Sequence, residues 1–599
     1  MYHHQDLPTG GLAAVAPRAR TGALCGLVAA GAGMAFAEAV GALTNPDATP
    51  LLAVGDAVVD VVPQPLKELA IALFGTADKV ALLSGMGVVL AGFAAAIGVL
   101  ARNRRWHGDA GIALFGAIGL LAALTRPESG PFDALPSLLG AAAAVAVLRL
   151  LLRLAPGSPA RSGAAAGDGT GSGGTETASP AAGAAGAPEP RSGSPAASPP
   201  APESAAGPAA GAEPEAEGEP QPSAGGTSAE PRAGGGFDRR RFITAAGAAA
   251  ALSAAGGLGA RWYSSSRVDT TEMRAAISLP RPASPAPALP DGVEFDIPGQ
   301  SPFFTPVDDF YRIDTALSTP RIDATTWTLR VHGRGIKERE YTYDDLLNRS
   351  DLMERDITLA CVSNPVGGSL VGNARWIGVP LAALLREAGV RPPGEGGPAD
   401  QLVSRSSDGM TIGTPVADTM DGRDAMLALG MDGEPLPARH GFPLRMVVPG
   451  LYGYVSACKW LVELELSTFD AFDAYWVPRG WSQEAPIKIQ ARVDTPGDAE
   501  TVDAGTATVA GVAWAQTVGI EKVEVRVDDG EWREATLAEE DTLDTWRQWK
   551  LEWDAEPGDH RLTVRATDRD GETQTADEAS PAPNGATGHH SVEVTVVAA

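Results

Sequence analysis

Cysteine is nearly absent from this chain: Cys25, Cys361 and Cys458 are the 3 in 599 residues. That scarcity excludes a disulfide framework. Cys25 falls in an apolar run, so the one intrachain bridge left open is Cys361 to Cys458. Histidine is scarce as well, at 8, and none falls inside the long apolar runs; His107 reads as a loop residue. Two axial ligands for a membrane haem are therefore lacking, and no haem is expected. Basic charge is in deficit, with 47 Lys and Arg against 74 Asp and Glu for a formal charge of −27. Nucleic acid is excluded as a partner on that ground, since phosphate binding takes clustered cations; docking to a basic protein is compatible with it. The most complete absence is local. Residues 156–236 contain no Leu, Ile, Val, Met, Phe, Trp or Tyr. With nothing to bury, such a stretch cannot offset its chain entropy, and a disordered Ala/Gly/Pro/Ser linker is expected there.

Long apolar runs are abundant before that linker. Four segments, about 21–43, 80–100, 109–125 and 134–154, approach the ~20 residues that cross a hydrocarbon core. Arg18 and Arg20, then Arg102, Arg104 and Arg105, then Arg149 and Arg153 fall on one side, while Asp47, Asp56, Asp60, Glu128 and Asp133 fall on the other. The alternation predicts a four-helix transmembrane region over 1–155 with both ends cytoplasmic, and argues against a buried soluble bundle. Glu38 lies inside the first span, where an ionisable group is costly; it either tilts toward an interface or pairs within the bundle. After the linker, DRRRFITAAGAAAALSAAGGLGA (238–260) sets Arg239 and Arg240 before a weakly apolar stretch. The pattern resembles a twin-arginine export signal; an ordinary stop-anchor with basic flanks is the alternative. Leu258-Gly259-Ala260 is a poor cleavage site, so 237–262 is expected to stay as a fifth anchor, in a multi-pass protein of the cell membrane with later residues on the extracytoplasmic side.

Residues 263–300 form a Pro-rich approach segment. From 301 to 481, short strand patterns (TWTLRVHG, QLVSRSS, FPLRMVVPG, WLVELELST) surround one helix at about 379–389, opened by Val379-Pro380 and closed by Gly389. That mixture predicts an α+β domain. Past Pro486 the pattern turns all-β, with six strand-like runs and a hairpin signal at Asp529-Gly530. Residues 482–599 are therefore expected to form an immunoglobulin-like sandwich.

One stretch carries the chemistry. In ITLACVSNPVGGSLVGNARWIGVPL (357–381) an apolar run delivers Cys361 to a turn with Asn364, Gly367 and Gly368, where glycine permits close approach to the backbone. A buried structural cysteine is the bland reading. The neighbours favour another: TLACVSNPVGG, NARWIGVPLAALL and HGFPLRMVVPGLYGYVSACKWL (440–461), in that order, resemble the sulfite oxidase family of molybdopterin-dependent oxidoreductases. The resemblance runs from about Asp308 to the C-terminus, roughly half the chain. It implies that Cys361 is the one protein ligand to molybdenum, and thiolate suits a soft metal. It also places Asp308, Tyr311 and Arg312 (from DDFYRID), Ser406, His440, Arg445, Ala457, Cys458 and Lys459 at cofactor-binding positions. Arg445 and Lys459 supply the cations that a pterin phosphate needs; the Cys458 side chain itself reads as packed core. The same resemblance implies the order of a cofactor domain before a β-sandwich, and a homodimer through that sandwich; the membrane bundle is the alternative route to an oligomer.

Two departures bear on substrate. Sulfite-oxidising members carry an arginine three residues before the motif lysine, where this chain has Ser456, and a tyrosine in the segment that here reads SSDGMTIGTPV. A dianion wants convergent positive charge, so sulfite is disfavoured. The expectation is a membrane-anchored oxidoreductase moving an oxygen atom to or from a small molecule or a sulfur-containing side chain. Its electrons would pass through a separate electron-transfer protein or a quinone. A reductase of protein methionine sulfoxide or of small S- or N-oxides is the enzymatic alternative; a non-catalytic outward-facing binding module is the other.

Overall fold

A computed structural model describes residues 10–45, 48–62, 78–125, 129–155, 239–267 and 270–598; the linker expected at 156–236 lies outside them. The N-terminal part is helical: α1 (Gly10–Leu43), α2 (Pro50–Val61), α3 (Asp78–Asn103), α4 (Arg105–Leu124), α5 (Leu135–Leu154) and, past the linker, α6 (Arg239–Arg267). Among the described residues, five stretches are long and apolar enough to cross a membrane: Ala19–Leu43, Ser84–Asn103, Arg105–Leu124, Leu135–Leu154 and Arg240–Ala260. Small residues let these helices touch backbone to backbone. A methyl on Gly26 would sit 2.0 Å from the Ala94 carbonyl oxygen of α3, and one on Gly33 would meet the Gly140 carbonyl of α5 at 2.7 Å.

The connection carrying Asp56 and Asp60 contains a helix of its own, α2, because acids that deny a segment a membrane span do not deny it helical hydrogen bonding. One sequence expectation needs correction here. His107 is not in a loop but in the first turn of α4; hydropathy marks the apolar span, whereas the helix continues into its polar flank.

The next region holds ten strands: β1 (Thr328–Gly333), β2 (Arg339–Thr342), β3 (Met353–Ala360), β4 (Val371–Pro380), β5 (Gln401–Ser406), β6 (Thr411–Pro415), β7 (Met426–Met431), β8 (Glu434–Pro435), β9 (Arg445–Val447) and β10 (Leu461–Ser467). They make two sheets, ordered β2-β1-β10-β5-β6 and β3-β4-β7-β8, with β9 paired to β7. β1 and β10 run parallel although more than a hundred residues separate them. Trp376, Leu427 and Leu444 are fully buried in one apolar core beneath these sheets. The helix expected at 379–389 is shorter, Leu381–Glu387. Val379 and Pro380 still pair with Leu427 and Met426 in the sheet, so the helix begins only where β4 releases the chain.

The C-terminal part is β-rich: β11 (Gln490–Thr495), β12 (Glu500–Asp503), β13 (Gly505–Trp514), β14 (Ile520–Val527), β15 (Arg533–Glu534), β16 (Thr536–Leu537), β17 (Arg547–Ala555), β18 (Gly558–Asp568) and β19 (His590–Val597). Its sheets are ordered β11-β13-β17-β16 and β12-β19-β18-β14-β15. Alternate residues such as Val592, Val594 and Val596 turn into a shared core. The turn at Asp529-Gly530 joins antiparallel β14 and β15.

Candidate active site

Cys361 is the first residue after β3, whose last five positions are all buried. The thiol-bearing loop closes on itself. Cys361 N donates to the Leu370 carbonyl at 2.9 Å, and Leu370 N donates to Asn364 Oδ1 at 2.8 Å. Gly367 takes φ +77, a left-handed turn that a side chain would strain. The Cys361 Sγ lies 2.9 Å from Ser363 Oγ. Burial pushes this thiol up, against the pull of Ser363 and of the Lys459 charge. All three cysteines are free.

The thiol opens on a cleft that encloses about 750 Å³ of atom-free space, open solvent included. Tyr311, Cys361, Ser406, His440, Arg445, Ala457 and Lys459 all line it, so seven of the residues singled out in the sequence converge. Arg445, on β9, is 6% exposed; its guanidinium lies 5.0 Å from the Trp376 ring centroid. Its Nη1 donates to the His440 carbonyl at 3.3 Å, while Nε is buried without a partner. Burial lowers this guanidinium to about 10. Lys459 Nζ donates to the Ile313 carbonyl and to Asp314, each at 3.0 Å. Burial brings its ammonium down to about 8, with Asp314 pulling the other way. His440 Nε2 is 3.1 Å from the Val307 carbonyl, which only accepts, so that nitrogen carries the proton. Burial, then the Arg445 charge, hold His440 down to about 3, a neutral imidazole at any working pH. Ser406 Oγ is buried with no partner.

Three singled-out residues do not line the cleft. Asp308 has a side chain 92% exposed and pairs with Arg439. Arg312 Nε holds Asp314 at 2.8 Å. Cys458 is 1% exposed, its Sγ 3.7 Å from the Lys459 carbonyl, a packed thiol as the sequence reading had it. Conversely, Asp314, Asp408, Met410, Tyr454 and Trp476 line the cleft and were missed. Asp314 had a signal, since it ends the DDFYRID stretch two residues after Arg312; Trp476 had none.

A thiol beside two buried cations, with an unpaired Arg445 Nε and Ser406 hydroxyl, is a donor set that needs an anionic, oxygen-rich guest. Those orphaned groups are costly without one. An organic cofactor ending in phosphate and carrying a thiophilic metal fits them.

Residues 316–476 match the family described as oxidoreductase molybdopterin binding domain. Mitochondrial sulfite oxidase of Mus musculus is 29% identical over 277 residues, 39% of this chain and 50% of that protein. The human enzyme is 28% identical over 290 residues, 41% and 53% respectively. The protein-methionine-sulfoxide reductase catalytic subunit MsrP of Ralstonia nicotianae is 31% identical over 268 residues, 42% of this chain and 73% of that protein. The chain thus spans about half the length of the sulfite oxidases it matches.

Proposed function

The chain belongs to the sulfite oxidase family of molybdopterin-dependent oxidoreductases, and from that premise we propose a membrane-anchored enzyme of oxygen-atom transfer in which Cys361 is the one protein ligand to molybdenum. The observation that carries this reading is the convergence of a single buried thiol with Arg445 and Lys459 on one cleft. When bound, the cofactor supplies the two-electron redox change that accompanies oxygen-atom transfer. The chain's own residues bind and orient it. Arg445 offers a planar fork with a free Nε, Lys459 a point charge, and Ser406 a free hydroxyl. His440 is a neutral donor already engaged with Val307, so it fixes the loop before Arg445 and does not trade protons near neutral pH. Tyr311 stays protonated, since burial pushes its phenol well up.

Charge at the cleft favours a neutral substrate. Along the cleft lining the carboxylates of Asp314 and Asp408 offset the charges of Lys459 and Arg445, and Met410, Tyr454 and Trp476 give the wall an apolar character. That set suits an organic sulfoxide, sulfide or N-oxide better than a dianion such as sulfite. It supports the second reading, reduction of oxidised methionine, in keeping with the name of the Ralstonia relative. In this reading the cofactor domain faces the extracytoplasmic side of the membrane, with 156–236 as a cytoplasmic tether and 237–262 as the last anchor, an orientation supported by the charge pattern of the helical region. The C-terminal sheets are read as an immunoglobulin-like sandwich of the kind that dimerises, and electrons pass to or from a separate protein or a quinone.

Cys361→Ser tests the proposal. Molybdenum and pterin should be near one per chain in the wild type. Turnover on a panel of sulfite, methionine sulfoxide and S- and N-oxides with an artificial electron carrier should vanish in the variant. Full turnover by Cys361→Ser would refute the ligand assignment; which member of the panel reacts fixes substrate and direction.

A further inference from the structure

The segment that carries Cys361 is fastened at both ends to the C-terminal β-rich part of the chain. Upstream, three residues before the thiol, Thr358 gives its N–H to the Asp544 carbonyl at 2.9 Å. Its carbonyl accepts from Gln516 Nε2 at 2.5 Å, and its hydroxyl accepts from Trp546 N at 2.8 Å. Downstream, Arg492 Nη1 donates to the Gly368 carbonyl at 2.8 Å. The same guanidinium is held by Asp494 at 2.6 Å and by Ser301 Oγ at 2.8 Å, so its aim is fixed on three sides. His590 packs on the adjacent residue so closely that a methyl on Gly367 would sit 2.0 Å from its ring. The ring is oriented in turn, because Val493 N donates to its Nδ1 at 3.0 Å.

Between these two anchors the thiol loop bonds to itself: Cys361 N donates to the Leu370 carbonyl, Leu370 N to Asn364 Oδ1, Asn364 N to the Cys361 carbonyl and Gly368 N to the Pro365 carbonyl. We propose that Arg492 and His590 are positioning residues for the metal ligand: the C-terminal part forms the back wall of the active site and sets where the Cys361 sulfur stands. This rests on the reading of Cys361 as the molybdenum ligand. The chemistry requires such a wall. A metal held by one protein bond is placed by the backbone that carries that bond, and a loop rich in glycine does not place itself. Neither residue lines the cleft.

The experiment uses the full-length protein in two states. In the molybdenum-free state, iodoacetamide labelling is followed at each cysteine by mass spectrometry, for the wild type, Arg492→Gln, His590→Ala and, as control, Arg561→Gln, which breaks only an exposed ion pair with Glu593 in the same region. Labelling of Cys361 should rise about tenfold in the first two variants, the scale of one lost charged hydrogen bond, and stay at the wild-type rate in the control. In the loaded state, kcat should fall by up to about 100-fold at unchanged KM, as displacement of a reacting centre produces, and the Mo(V) resonance should broaden. Arg492→Lys, which keeps the cation but cannot reach Gly368, Asp494 and Ser301 together, is the milder perturbation should Arg492→Gln not fold. Cys361 labelling no faster than in Arg561→Gln would overturn the proposal whatever the turnover. Failure of the ligand reading looks different: molybdenum retained at full turnover by Cys361→Ser, with the labelling pattern intact.

Discussion

Lys459 offers the sharpest quantitative test of the cleft. Its ammonium is 11% exposed, and burial takes it from an ordinary 10.5 to about 8 despite Asp314 at 3.0 Å. Keeping it charged in the cofactor-free protein therefore costs about 3 kcal/mol relative to water. The sign follows from proton counting. Between about pH 8 and 10.5 the unfolded chain holds a proton that the folded protein has released, so stability rises with pH across that window and is flat below it. In Lys459→Met the slope should be absent, while Asp314 keeps a partner in Arg312 at 2.8 Å. The wild-type minus variant difference in unfolding free energy should thus shift in favour of the wild type by about 3 kcal/mol from pH 8 to 10.5, or several degrees in Tm. Subtracting the variant also cancels Arg445, which lies near 10. Tryptophan fluorescence reports the relevant region, since only Trp106 of the 12 tryptophans precedes residue 156. In the loaded enzyme an anionic guest beside Lys459 favours the ammonium, so the slope should disappear there as well. An equal slope in wild type and Lys459→Met, both cofactor-free, would refute the argument that the cleft is a desolvated cation awaiting an anion.

Two further outcomes are expected. Replacing Arg239 and Arg240 with Lys should leave the cofactor domain inaccessible to protease added outside the cell; unchanged cleavage would favour an ordinary stop-anchor. Asn373→Leu, at a fully buried position that accepts from Thr358 at 3.1 Å and donates to the Phe303 carbonyl at 3.0 Å, should destabilise by about 2 kcal/mol because it leaves the buried Thr358 O–H without an acceptor, though the same oxygen still accepts from Trp546 N; a loss under about 0.5 kcal/mol in denaturant titration would contradict that.

What could be read from the sequence follows how local each signal is. Cys361, Arg445 and Lys459 sit in contiguous motifs, and each stands on the same cleft. The five apolar stretches were legible because a membrane span needs only length and apolar composition. β7 escaped notice for the opposite reason. All six of its residues are buried, so it has no polar alternation to mark it as a strand. Asp308 and Arg312 look alike as motif residues, yet the first turns outward to Arg439 and the second is spent on Asp314. Orientation of that kind is set by partners 131 residues away in the first case and by one only 2 residues away in the second. Trp476 reaches the cleft purely through tertiary folding.

The attachment of the thiol loop to β11 and β19 has the same origin and a larger consequence. Arg492 lies 124 residues from the carbonyl it holds and His590 packs from farther still, so a motif search stops at the cofactor domain. The physical unit that fixes Cys361 does not. If thiolate position tunes the reaction, then substitutions in a region whose strands carry no catalytic side chain should alter turnover without altering substrate binding, and the two domains cannot be exchanged independently among relatives. A chimaera joining residues 301–481 of this chain to another family member's C-terminal part should recover activity only when Arg492 and His590 are carried across with it.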